Sequence, residues 1–290
     1  MRLAPFFTPM RTLLLFIAVF VIGLGIAFYV VRAPQAAAGW VVTSPDTAEI
    51  VAAVAGTDSI IAVADECNWP PALQQKPHVG SFGQVNLEKL AELHPSLVLT
   101  AAPAQDALTQ RLLTLGYRAE SLSLRSADDL LAAVRRVGEL TGRQARAAVV
   151  ADSLSAAFAA ARAAGTLAGR VYVEVSAGFW TVSGRSLLGE VVRLAGGRNL
   201  YEDADWEYAQ VSQADVVAAD PDVILLTYPG VSAADVAARK GWESVSAVRS
   251  GRIYTAADVN PDLIVRCGPR LPQGVALLHA LFAQGAGETP

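Results

Sequence analysis

An alanine-dense run from Gln144 to Ala164, free of glycine and proline, most constrains what this chain can fold into. Alanine is the strongest helix former, and roughly 21 helical residues span about 30 Å, the width of a small domain. Its apolar positions Val149, Val150, Leu154, Ala157, Phe158 and Ala161 recur at three- and four-residue steps, which predicts one buried face. An ordinary amphipathic helix in a single core would show the same pattern. The flanks decide against that, because strand–helix alternation lies on both sides and the two sides resemble each other. The run reads as a rigid rod joining two lobes.

Before the rod, strands are expected at 41–42, 59–64, 97–100 and 119–124, and helices at 47–54, 87–93, 105–115 and 127–140. After it, strands are expected at 170–175, 223–227 and 252–255, with helices at 187–194, 213–219, 233–239 and 273–282. The segment 59–64 is a continuous apolar run of strand length, as a parallel strand covered on both faces requires. Ser126 with Asp129 predicts a capping box. Segments 176–185 and 201–210 read as loops. The expected fold is α/β, with two small lobes of mainly parallel sheet, right-handed crossovers, a long rigid interlobe helix and a ligand cleft between the lobes. The divisions fall at 40–142, 143–165 and 166–290.

An internal repeat supports two lobes. Val85-Asn86 through His94-Pro95 to Pro103 aligns without gaps on Val211-Ser212 through Asp220-Pro221 to Pro229.

Residues 1–39 are different material. Arg2 and Arg11 precede an uncharged apolar run from Thr12 to Val31, followed by Arg32, Pro34 and Ala36-Ala37-Ala38. This is a signal peptide or an uncleaved N-terminal membrane anchor. Either reading exports the remainder to the periplasm or the outer face of the cytoplasmic membrane. No cysteine follows the run directly, so a lipid-modified cysteine is not expected. From residue 40 onward 20 basic residues stand against 27 acidic ones, an unfavourable balance for nucleic-acid binding. Cys67 and Cys267 are the only cysteines, and their separation leaves both a disulfide and two free thiols open.

Fifteen aromatic residues lie beyond residue 39. Trp69, Phe82, Phe179, Trp180, Trp206, Tyr208 and Tyr228 fall on loops expected at the carboxyl ends of strands, where α/β units bind ligands. Rings there either cover a bulky, partly apolar ligand or pack beneath their own loops. Catalytic signals are faint. His78, His94 and His279 are scattered, too few for the usual transition-metal pocket, and no metal site or resident cofactor is expected. Glu66 and Cys67 are two-sided: a polar ligand contact, or a solvated carboxylate beside a buried thiol. Glu88 opens a helix, where a carboxylate favours the positive dipole end, and could equally pair with an arginine on a partner.

The order Ser44-Pro45, Asp65-Glu66-Cys67-Asn68-Trp69-Pro70-Pro71, Gly80, Asn86-Leu87-Glu88 and Leu93-His94-Pro95 resembles the helical-backbone substrate-binding proteins of ABC importers. Ser183-Gly184, Gly196-Gly197, Gln210-Val211-Ser212, Asp220-Pro221-Asp222 and Arg266 through Gly268-Pro269-Arg270 continue the resemblance over roughly residues 40 to 283. Members bind cobalamin, ferric siderophores or haem and deliver them to a membrane permease. The Cys-Asn-Trp-Pro-Pro loop looks most like the cobalamin branch. The resemblance implies a monomeric, non-enzymatic receptor, with ligand contacts at Phe82 and Tyr208, joined by Arg266 and the other rings. Glu66 stands where that branch carries a corrin-contacting tyrosine. Glu88 matches one permease-docking glutamate, whereas the second position is Ala214, so Asp215 or Glu207 would have to substitute. An exported enzyme using Glu66 and Cys67 is the reading from a different class.

Overall fold

The computed structural model describes residues 39–284, so the expected signal or anchor segment lies outside the described residues. The chain enters through β1 (Trp40–Val42), α1 (Pro45–Ala55) and β2 (Ile60–Val63), then a short hairpin of β3 (Gly80–Ser81) and β4 (Gln84–Val85). It continues through α2 (Leu87–Leu93), β5 (Leu97–Ala102), α3 (Asp106–Thr114), β6 (Ala119–Ser123) and α4 (Ala127–Thr141). Strands β2-β1-β5-β6 form one sheet, parallel throughout. After α5 (Gln144–Ala163) come β7 (Arg170–Glu174), β8 (Trp180–Val182), α6 (Leu187–Leu194), β9 (Arg198–Asn199) and β10 (Tyr208–Gln210). Helix α7 (Gln213–Ala219), β11 (Val223–Leu226), α8 (Ala233–Ala237), α9 (Ser246–Arg249), β12 (Ile253–Tyr254) and α10 (Leu271–Ala283) complete the described chain. Here β12-β11-β7-β9 make a second all-parallel sheet. The protein is two α/β lobes with α5 running between them. Among the described residues no helix is long and apolar enough to cross a membrane.

The repeat is physical. Helices α2 and α7 match residue for residue, each capped by a side chain at its start, Asn86 and Ser212. Each stops on a left-handed residue just before proline, His94 at φ 46° and Asp220 at φ 44°. Histidine and aspartate are among the side chains that tolerate this region.

Two expectations about the helices need correction. The buried face of α5 is Ala147, Ala151, Leu154 and Phe158, while Val149 is exposed. The contact is set by α4, whose Gly138 lets the two helices approach so closely that an added Cβ would lie 2.4 Å from that of Ala147. The buried face therefore pairs small Ala147 and Ala151 with large Leu154 and Phe158 and turns Val149 out. At Ser126 only half of the capping box forms. The Asp129 amide donates to Ser126 Oγ at 3.1 Å, but the Asp129 carboxylate accepts from Ser123 Oγ and the Arg125 amide instead.

Two expected loops contain a ribbon. β8 and β10 pair antiparallel, Tyr208 opposite Val182 and Gln210 opposite Trp180. Around α5 the lobes share one core. Val42, Ile50 and Leu99 of the first lobe, Leu154 and Phe158 of α5, and Val171, Val192 and Phe282 of the second belong to a single buried cluster. Gly138→Val should therefore cost about 1–3 kcal/mol by overpacking, measured as a lower urea midpoint at unchanged m-value.

Candidate functional site

Parallel sheets gather the chain's crossings at the carboxyl ends of their strands. Ser44 and Asp46 follow β1, Ala101 to Ala104 end β5, and Leu124 and Arg125 follow β6. Together with Phe82 they face Leu187, Glu207, Tyr208 and Val265 across a cleft of about 390 Å³. The small side chains of Ala101, Ala102 and Ala104 leave one wall flat. Gln105, buried behind it, uses its whole amide: Oε1 accepts from Thr43 Oγ1 and the Ala101 amide, and Nε2 donates to the Thr43 and Phe82 carbonyls, all within 3.0 Å. It fixes the Phe82 loop to the end of the sheet. On the other side of Phe82, its amide donates to Glu66 Oε2 at 2.8 Å. Glu66 is exposed and close to the cleft, but one carboxylate oxygen already serves the backbone of Phe82.

The expected aromatic set divides in two. Phe82 and Tyr208 line the cleft, and Trp69, Trp180 and Tyr208 are 44%, 43% and 58% exposed. Trp69 and Trp180 lie outside the cavity lining itself. Phe179, Trp206 and Tyr228 are half-buried and engaged by protein partners. Phe179 stacks on Trp242 at 6.1 Å with the Arg239 guanidinium 5.2 Å from its ring, and Trp206 lies 5.4 Å from Tyr201. Tyr228 donates to the fully buried Glu174, which also holds Arg239 through two bonds of 2.7 and 2.9 Å. Burial, together with that carboxylate, pushes the Tyr228 hydroxyl up to about 12.

Cys67 and Arg266 are also turned inward. Cys67 is 1% exposed within the core, and burial pushes its thiol up to about 12. It offers the cleft neither surface nor thiolate, and a reactive cysteine needs both. Cys267 is buried and free as well, and burial raises its pKa. The Arg266 guanidinium is spent on protein partners: Glu49 at 3.4 Å, Asp262 at 2.9 Å, Asn68 Oδ1 at 2.7 Å and the Glu66 carbonyl at 3.3 Å.

Of the docking candidates, Glu88 and Asp215 are exposed in the first turns of α2 and α7. Glu207 differs. It pairs with Arg125 of the opposite lobe at 2.9 Å, across the cleft. Arg125 escaped sequence reasoning because its partner lies 82 residues away. Beside this pair, burial raises the Asp46 pKa against the lowering effect of the Cys267 amide, which donates to Asp46 at 3.0 Å. Native protein should leave both thiols unmodified by a disulfide reagent at pH 8, with two equivalents reacting only on denaturation. Rapid native labelling would show a more open core.

Residues 41–259 match the periplasmic binding protein family. The chain is 27% identical over 243 residues to the uncharacterised ABC transporter substrate-binding lipoprotein YvrC of Bacillus subtilis strain 168, spanning 80% of this chain and 75% of that one. It is 26% identical over 238 residues to the vitamin B12-binding protein of Pectobacterium atrosepticum, spanning 79% and 82%. The apo structure of the periplasmic heme-binding protein RhuT from Roseiflexus sp. RS-1 superposes with a TM-score of 0.74 at 23% identity, over 86% of this chain and 99% of that one. That structural likeness speaks to fold alone. The family match covers most of the chain: this chain belongs to the periplasmic binding protein family, whose work is binding rather than catalysis.

Proposed function

We propose that this protein is an extracytoplasmic receptor of an ABC importer that captures a corrinoid, of the cobalamin type, in the interlobe cleft and hands it to a membrane permease. The observation that carries the reading is the character of the cleft. Its lining joins apolar Phe82, Ala101, Ala102, Pro103, Leu124, Leu187 and Val265 to two carboxylates, Asp46 and Glu207, and a single cation, Arg125, which Glu207 already neutralises. Such a surface suits a large flat macrocycle whose rim carries neutral amides, because carboxylates accept their N–H groups while the rings cover its face. It suits an anionic ferric catecholate poorly, since a second negative charge would meet no free cation. The curated relatives named for vitamin B12 point the same way.

Haem is the second reading, favoured by one observation. Tyr208 lines the cleft and is exposed as a residue, and a tyrosine oxygen is a competent ferric-haem ligand. Calorimetry with cyanocobalamin, haemin and a ferric catecholate separates these readings. Cyanocobalamin should bind at about 1 µM or tighter and be recovered unchanged. Haemin binding with a tyrosinate charge-transfer band, and no corrinoid binding, would overturn the corrinoid assignment.

The rings that contact ligand should be separable from the rings that hold loops. Trp69→Ala and Tyr208→Ala should each weaken cyanocobalamin binding roughly tenfold or more with little change in unfolding midpoint. Phe179→Ala and Trp206→Ala should do the reverse, lowering stability first.

Delivery is assigned to Glu88 and Asp215, with Glu207 reserved for its bridge to Arg125. Glu88→Lys should leave ligand affinity intact and reduce uptake severalfold, because like charges at an interface cost several kcal/mol. Undiminished uptake by both Glu88→Lys and Asp215→Lys would remove these two residues from permease docking.

A further inference from the structure

Glu49 lies on α1, is 4% exposed, and spends both carboxylate oxygens on arginines contributed by the segment between β12 and α10. Arg270 meets it as a fork, Nε to Oε2 at 2.8 Å and Nη2 to Oε1 at 2.6 Å. A two-point bond of this kind fixes the plane of the guanidinium as well as its position. The carbon of that plane lies 5.0 Å from the centroid of the Trp69 ring, within cation–π range. Among the described residues Arg270 is the only cation or aromatic partner of Trp69. The side chain next to the ring is held by the same segment. Asn68 Nδ2 donates to Asp262 at 2.9 Å, and Asn68 Oδ1 accepts from Arg266 at 2.7 Å.

We infer that Arg270, fixed by Glu49, is a positioning residue for ligand capture: its guanidinium holds one face of Trp69 and leaves the other face set for the ligand. An exposed tryptophan without such support samples several rotamers, and the ligand must then meet the entropy of selecting one. Prepaid orientation lowers that cost and lengthens residence. Because Arg270 sits on the stretch that returns from the second lobe's sheet, the aromatic wall of the first lobe is set by the relation between the two lobes. The inference rests on the reading of Trp69 as a ligand-facing ring.

A double-mutant cycle with cyanocobalamin and the full chain tests it. Arg270→Lys retains the charge beside Glu49 but loses the planar fork. It should weaken binding about fivefold to tenfold, mainly through faster dissociation, and raise acrylamide quenching of the tryptophan emission that Trp69→Phe removes. In a Trp69→Ala background the same change should have less than a twofold effect. Equal factors in both backgrounds would overturn the inference, because Arg270 would then act independently of the ring. Wild-type affinity in Trp69→Ala alone would instead remove the ligand-facing reading of Trp69 on which the inference stands. Should Arg270→Lys fail to fold, Glu49→Asp, which withdraws the carboxylate by one methylene, runs the same cycle with the same expected and overturning results.

Discussion

A carboxylate on the first helix and two guanidiniums that arrive more than 200 residues later hold this molecule in its working shape. Glu49, Arg266 and Arg270 are all buried or nearly so. A buried cluster of this kind gains little net stability over an apolar substitute, since desolvation offsets most of its Coulomb attraction. What it supplies is placement. The docking of the segment before α10 that satisfies these three charges also brings Arg266 to the Glu66 carbonyl, the Cys267 amide to Asp46, and Arg270 to Trp69. The second lobe repeats the device with other parts. Fully buried Glu174 gathers Arg239, Tyr172 and Tyr228 and fixes the loops at the ends of β7 and β11.

Aliphatic side chains fill most of the interior, with Phe158, Tyr172, Trp242 and Phe282 as its buried aromatics. The parallel strands are covered on both faces, so β11 is buried at every position and built from Val, Ile and Leu. Seven further aromatics lie around the strand ends. There they are used in two ways, and the loop after β7 shows both side by side. Phe179 takes a left-handed φ of 64° and turns inward onto Trp242, and the next residue, Trp180, enters β8 facing solvent. A bulky side chain in that region costs of order 1–3 kcal/mol. The ring contact with Trp242 and the Arg239 cation at 5.2 Å offset it. The reversal sets two adjacent rings on opposite sides of one loop.

Joining the lobes by α5 and by the returning segment limits how far they can part. The helix carries no breaker, and the core around it is continuous from the β1 side to α10. A cleft framed in this way is largely preformed, which suits capture of a rigid ligand whose shape does not adapt. The Arg125–Glu207 pair spans the cleft with both side chains partly in water, where an ion pair contributes up to about 1 kcal/mol. It neutralises the mouth of the cleft without locking it.

Local chemistry made much of the architecture legible. The breaker-free alanine run is α5, the apolar runs are the parallel strands, and the offset repeat is a pair of equivalent helices stopped at His94-Pro95 and Asp220-Pro221. These features are encoded within a few residues of themselves, by propensity, caps and period. The β8–β10 ribbon was not legible, because three-residue strands carry no period and find their partners only across the fold. Nor could sequence divide seven loop aromatics into those that face the cleft and those that pack beneath it. That choice depends on distant cations: Arg239 draws Phe179 inward, and Arg270 holds Trp69 at the surface. Cys67 likewise reads as a possible contact in its loop and proves to be core, because the 3-10 turn beginning at Pro71 and the strand before it close over it. Sequence alone determined where the helices and the main parallel strands lie, because propensity, caps and period are local. Tertiary structure decided which side chains reach the cleft, because their orientation is set by buried charges that meet only when both ends of the chain are in place.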